Sequence, residues 1–392
     1  MERFDVVAIG AGLAGLQTTR LLARGGARVL LVDRKGSPGE SVHTTGIFVR
    51  RTLEDFDLPE DCLGPAVRRV VLYSPARRAQ TLVSEHAEFR VGRMARLYER
   101  MLAECLEAGA EWSPSTRYAG AEADGPQGSH VLLERAGLTR RVAARVVVGA
   151  DGARSRVARD LGLEGNREWI VGVEDVFEGG PGEASEPCFH CFLDPRLAPG
   201  YLAWVVCDGA ETHVGVGGYA ARFDPVRALE EFSAEVGGRF GLGRARRVER
   251  RGGRIPVGGV LRRIAGARGL LVGDAAGAVS PLTAGGLDPC MRLSSLAASV
   301  LLEYLKTGEA STLARYSGAR FRARFMSRLW MRRALSSVSS PLLIEAGCAL
   351  MRRAPFEAFA RKVFFGRGSF PDVEAARGPR ATTLVGRLTG AE

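Results

Sequence analysis

A chain of 392 residues, 46% apolar and 25% charged, is long enough for two packed units or for one large domain carrying an inserted one. No apolar run approaches the roughly 20 residues that span a bilayer, and the first apolar stretch runs straight into a glycine loop, which argues for a cytoplasmic protein without a leader. Seven scattered cysteines point to reduced thiols and away from a disulfide framework, and the net charge of +11 is concentrated near the C-terminus.

The first elements are the most specific. In FDVVAIGAGLAGLQTTRLLARGGARVLLVDRK an apolar strand meets Gly10-x-Gly12-x-x-Gly15, then a helix, then a second strand ending at Asp33, with Arg34 beside it. Gly10 permits the tight turn, Gly12 lets backbone approach a pyrophosphate, and Gly15 allows close packing of helix on strand. The helix N-terminus offers free N–H groups to phosphates, and Asp33 can accept from ribose hydroxyls while repelling a 2′-phosphate. The site therefore predicts FAD or NAD.

The middle of the chain reads as short, turn-bounded strands: VRRVVLYSP, AQTLVSEHAEFRV, EWIVGVEDVFE, PCFHCFLD, YLAWVVCD and ETHVGVGGY, followed by the helical PVRALEEFSAEVGGRFGL. In Cys188-Phe189-His190-Cys191 the strand period turns the two cysteines to opposite faces, and no second ligand pair follows, so no metal site is expected.

LLVGDAAGAVSPLTAGGLDP then repeats the strand-to-helix glycine theme. FAD has two ends, and this loop suits the second. Gly273 and Asp274 end a strand where the carboxylate can accept from ribityl-side hydroxyls, and Pro281 stiffens the loop. Gly285 and Gly286 open a helix whose positive end suits an anionic reduced flavin. A nicotinamide enzyme has no use for it.

GAGLAG with Asp33, Val148-Gly149-Ala150-Asp151-Gly152-Ala153-Arg154-Ser155 and Gly273-Asp274-Ala275-Ala276 together resemble the flavoproteins built like p-hydroxybenzoate hydroxylase. SPLTAGGLDP is most similar to the geranylgeranyl reductase family within that group. The resemblance covers about residues 1 to 310. It implies an α/β plus antiparallel β fold: a Rossmann-type FAD-binding domain (1–65, 93–165 and 263–310), an inserted substrate-binding sheet domain (66–92 and 166–262) and a C-terminal basic helical region (311–392). It also implies that Asp151 and Gly152 lie beside FAD, that Arg93 begins a helix near the flavin, and that the Trp204 strand walls an apolar substrate cavity. The chain departs from the family where Leu202 replaces a tyrosine, where Val206 and Cys207 replace Phe-Pro, and where His43 and Thr44 stand near a cysteine position.

Between Arg315 and Arg367 twelve basic residues face only Glu345 and Glu357. Arg320, Arg324, Arg328 and Arg332 fall on one helical stripe and Phe321, Phe325 and Leu329 on the next. Either the apolar stripe packs on the FAD domain, or the basic one meets anionic lipid or a phosphorylated lipid substrate in peripheral membrane contact. Nucleic acid is not an expected partner.

The favoured function is an FAD-dependent reductase of C=C bonds in an isoprenoid or other apolar small molecule, with electrons from NAD(P)H or a reduced carrier protein. Its alternatives are a monooxygenase on an aromatic or polyketide-like molecule, a halogenase, which Lys35, Lys306 and Lys362 are badly placed to serve, and a non-catalytic flavin- or lipid-binding protein. His43 is the candidate proton donor and Thr44 a positioning hydroxyl; His43 equally suits a plain hydrogen bond to FAD or a loop carbonyl.

Overall fold

Val6 to Ile9 and Val29 to Val32 are buried without polar alternation, the pattern of strands covered on both faces. In the computed structural model, which describes residues 1–125, 128–179, 186–323 and 325–366, they pair in parallel at the centre of an eight-stranded sheet. Leu138–Gly149 flanks Arg3–Ile9 in parallel on the other side, and Gly269–Leu271 lies beside it, so both glycine loops leave the same end of the sheet. The first half of Leu138–Gly149 continues antiparallel into Gly128–Arg135, which pairs with Arg117–Asp124.

A second, seven-stranded sheet runs in the order Arg247–Pro256, Trp169–Glu178, Glu211–Gly218, Ala203–Cys207, Cys188–Phe192, Arg69–Tyr73, Ala79–Val83. Its two faces are unlike. Val205, Val214 and Val216 turn to the helix Pro225–Gly237, where they bury Leu229, Phe232 and Val236. Asp224 caps that helix by accepting from the Val226 and Arg227 amides, and Pro225 suits its first turn. The alternate positions, Glu174, Trp204 and Gly215, lie in register on the opposite face, towards the first domain. Arg247–Pro256 is hidden in the sequence by its arginines; Arg250 pays for its place on the sheet by a two-nitrogen contact with buried Asp175.

In the C-terminal region the single helical stripe expected over Arg320 to Arg332 is divided between two helices. The helices Gly318–Ala323, Met326–Ser337, Pro341–Met351 and Ala354–Phe365 are separate. Phe321, Phe325 and Leu329 are buried. Arg332 is buried too: it donates to Pro281 O (3.1 Å), Gly200 O (3.4 Å) and Tyr219 Oη (3.2 Å). Arg328 donates to Ser280 Oγ at 3.0 Å. These two guanidiniums therefore brace the second glycine loop and its neighbours. Helical periodicity shows which residues share a face but not whether that face meets water. Arg324 and Arg367 lie outside the described residues, as does the rest of 367–392. Among the described residues no helix is long and apolar enough to cross a membrane.

Candidate active site

Each glycine of the first loop has a different neighbour. Gly10 has φ +107°, and a Cβ there would lie 2.3 Å from Ala150 O. A Cβ on Gly15 would lie 1.7 Å from Gly10 O, so helix and loop touch backbone to backbone. Around Gly12 nothing stands within 4 Å of the Cβ position. That gap opens into a cavity of about 1510 Å³ bordered by both glycine loops. Its size exceeds the roughly 300–1,000 Å³ of an ordinary small-molecule pocket, as a site for a dinucleotide plus a substrate must.

Asp33 borders the cavity and accepts from the Ala11 amide (2.6 Å) and the Lys35 amide (2.9 Å), which leaves lone pairs free on both oxygens. Arg34 lies at the same end. Gly152 borders the cavity with φ +81°. Asp151 does too, but its carboxylate is turned to Ser155 Oγ (2.6 Å) and the Arg156 and Val157 amides, so it fastens the turn. In the second loop Gly273, Asp274, Gly285 and Gly286 border the cavity, and Gly286 caps the long helix Leu287–Thr307. Gly277 has φ +67°, and a Cβ there would press to 2.6 Å on Gly259 O, which accounts for glycine at this position.

Two expected contacts fall elsewhere. Arg93 starts the helix Met94–Glu107 but does not border the cavity; its guanidinium reaches back to Asp61 O at 3.5 Å. Pro281 stands behind the loop, its carbonyl taken by Arg332.

The front of the cavity joins the two sheets. Trp204 lies over glycines: a Cβ on Gly215 would sit 2.2 Å from its Cζ2, and one on Gly217 3.5 Å from its Cζ3. Leu202 and Phe189 extend this apolar floor. Tyr201 ties it to the second loop by donating to Thr283 O at 2.8 Å. His43, Thr44 and Thr45 border the same cavity, and Thr45 stands beside Trp204, since both donate to the same oxygen of Glu174. Burial, with Lys35 and Arg34 nearby, lowers the pKa of His43 and holds it neutral at neutral pH. A neutral imidazole suits a hydrogen bond better than proton donation.

One group was missed from the sequence. Glu174 is buried and accepts from Thr45 Oγ1 (2.5 Å) and Trp204 Nε1 (3.3 Å). Its other oxygen lies 3.5 Å from His213 Nδ1 and 3.6 Å from Arg251 Nη1. The available signal was an acid in an apolar strand that pairs, through a neighbouring strand, with the tryptophan's own.

Residues 3–178 match the FAD binding domain family. A digeranylgeranylglycerophospholipid reductase of Methanopyrus kandleri is 31% identical over 336 residues, covering 80% of this chain and 84% of the relative. The chain belongs to the geranylgeranyl reductase-like family of FAD-dependent oxidoreductases. A geranylgeranyl bacteriochlorophyll reductase-like protein of Thermoplasma acidophilum shares the fold of this flavoprotein, with a TM-score of 0.81 at 20% identity over 96% of this chain and all of that one. The p-nitrophenol 4-monooxygenase of Pseudomonas putida is also similar in fold, with a TM-score of 0.71 at 18% identity over 97% of this chain and 100% of its own.

The cofactor FAD fits this cavity: the open position at Gly12 suits a pyrophosphate, and Asp274 supplies an acceptor at the other end. Burial pushes the Asp274 carboxyl up to about 6. Hydroxyl donors favour its ionised form, so FAD binding is expected to release a proton wherever Asp274 is still protonated. Affinity should then weaken as the pH falls from about 7 to about 5, and Asp274→Asn should flatten that dependence. Titration of apoprotein with FAD across this range checks it; equal affinity at both ends would remove Asp274 from the cofactor contacts.

Proposed function

We propose that this flavoprotein reduces C=C bonds in the isoprenoid chains of a lipid, as the name of its Methanopyrus relative describes for that protein. The observation that carries the reading is the course of the cavity. It runs from both glycine loops past Trp204 to the helices Pro341–Met351 and Ala354–Phe365, where Leu343 and Phe359 border it while being 63% and 52% exposed. An apolar channel open to the surface suits a long chain entering end-on; a small aromatic molecule needs no such length.

Bound FAD, once reduced by NAD(P)H or a carrier protein, supplies hydride at N5. The chain's part is to hold the alkene over Trp204 and Leu202, exclude water, and furnish a proton. His43 and Thr44 border the same space, with His43 kept neutral as a hydrogen-bonding group. The deciding experiment is anaerobic photoreduction followed by mixing with digeranylgeranylglycerophospholipid in detergent. Reoxidation of the flavin with saturation of the lipid is expected. Reoxidation by oxygen alone, through a hydroperoxide, would favour the monooxygenase.

These helices, with Met326–Ser337 before them, support peripheral membrane contact. Trp330, Leu335, Leu342, Leu343, Phe356 and Phe359 are exposed, and Arg333, Arg352, Arg353, Arg361 and Lys362 are exposed among them. Basic residues at an anionic surface contribute about 1 kcal/mol each, and the apolar ones insert. Co-sedimentation with phosphatidylglycerol vesicles is expected, weakened by salt and lost on Leu342→Asp with Leu343→Asp. Vesicle binding unchanged in that variant would place the contact elsewhere.

A further inference from the structure

Given the reductase reading, hydride addition to one alkene carbon leaves the other in need of a proton, and an apolar floor has none to give. His43 is neutral and flanked by cations. The buried group around Glu174 is differently equipped.

His213 is 2% exposed, and its Nδ1 faces Glu174 at 3.5 Å. Its Nε2 is buried without a hydrogen-bond partner among the described residues. A nitrogen of His213 and carboxylate oxygens of Asp208 and Glu211 all lie within 4.8 Å of one another. One water can span such a gap and satisfy a buried imidazole nitrogen. Asp208 is buried at the strand turn, and Glu211 next to it is half-buried. On the other side of the histidine, Glu174 contacts the Thr45 hydroxyl at 2.5 Å, and Thr45 borders the cavity. A line of exchangeable groups therefore runs from the half-buried Glu211 to the cavity along the face of the second sheet that carries Glu174 and Trp204.

We propose that Glu211, Asp208, His213, Glu174 and Thr45 form a proton relay that serves the alkene carbon. Hydride brings two electrons and one hydrogen; the π bond breaks, and the second C–H bond takes its proton from Thr45 Oγ1. His213 Nδ1 passes its proton to the Glu174 carboxylate, and the carboxyl so formed turns about its Cγ–Cδ bond and returns a proton to Thr45 Oγ1. Glu174 is left ionised as it began, and His213 is recharged from solvent through Asp208 and Glu211. The electrostatics suit the role. Burial opposes charge on His213, but the adjacent Glu174 outweighs it and raises the histidine's pKa. Burial likewise opposes charge on Glu174; His213, Thr45 and Arg251 outweigh it and lower the pKa. The pair thus rests with its proton on the histidine. Trp204 Nε1 and Arg251 Nη1 hold the carboxylate in place between its two proton partners.

The test is anaerobic single turnover of dithionite-reduced holoenzyme with digeranylgeranylglycerophospholipid in detergent, read as flavin reoxidation. Thr45→Val removes the last hydroxyl of the relay with little change of shape, and Glu174→Gln breaks its middle. Each is expected to slow reoxidation about 100-fold or more, the usual scale for a lost general acid, with FAD content retained. Thr45→Ser restores the hydroxyl and should restore most of the rate. Reoxidation of Thr45→Val at the parent's rate overturns the relay, as does a serine variant as slow as the valine one. A parent that the lipid does not reoxidise overturns the reductase reading, and the relay with it.

Discussion

Gly12→Val is expected to give a folded, colourless protein, whereas Gly15→Ala is expected not to fold. Both positions belong to one motif, but their surroundings differ. At Gly15 a Cβ would lie 1.7 Å from Gly10 O and 3.3 Å from the Ala150 Cβ. The nearest obstacle is backbone and cannot swing aside, so the helix Leu13–Arg24 would have to lift off the sheet that it covers. At Gly12 the backbone has φ −79° and ψ −176°, which any residue adopts, and nothing lies within 4 Å of the Cβ position. The protein alone tolerates a side chain there. What valine meets is the pyrophosphate, which must approach the backbone at this point. A loss of more than about 100-fold in FAD affinity is expected, equivalent to about 2.7 kcal/mol. Flavin absorbance per protein and thermal melting separate the two outcomes. A Gly12→Val protein purified at full yellow occupancy would sink the assignment of this loop.

The contrast shows why the cofactor site was legible before the fold. A phosphate cradle is built from consecutive backbone residues, so strand, loop, helix and acid stand within 33 positions and carry their own spacing. The second loop is equally local. The Glu174 group is not: Thr45, Glu174, Trp204, His213 and Arg251 come from five separate segments. Strand pairing gathers the last four, with Glu174 opposite Gly215 on one side and Arg251 on the other, and the loop before Ile47–Val49 brings Thr45 to them. Gly215 is in turn opposite Trp204. Arg93 was misplaced for a related reason. A helix start can be read from sequence, but which side of the helix its side chain leaves by depends on neighbours such as Asp61, whose carbonyl holds it. Arg328 and Arg332 likewise read as a solvent-facing stripe until the second glycine loop appears against them.

Gly215→Ala is expected to cost turnover while sparing the flavin. The Trp204 indole rests on the bare backbone of Gly215 and is held there by its bond to Glu174 at 3.3 Å. A methyl group at Gly215 would stand 2.2 Å from Cζ2, too close for any relaxed contact, and the ring must rise into the cavity. Rising shortens the space above the floor and breaks the Nε1 bond, which leaves a buried carboxylate one donor short. Overpacking of this kind costs about 1–3 kcal/mol of stability, which a domain of this size survives. The effect on chemistry is larger, because a displacement of about 1 Å at the reacting atoms costs on the order of 100-fold. Single-turnover reoxidation by the lipid should fall by that factor, with FAD content at the parent's level, since Gly215 stands on the second sheet and away from both glycine loops. Trp204→Phe separates the two causes: it keeps a ring on the glycine floor but has no N–H for Glu174, so it should lose the part of the rate that depends on that bond alone. Parent-like turnover in Gly215→Ala would mean that the indole does not set the floor on which the substrate lies.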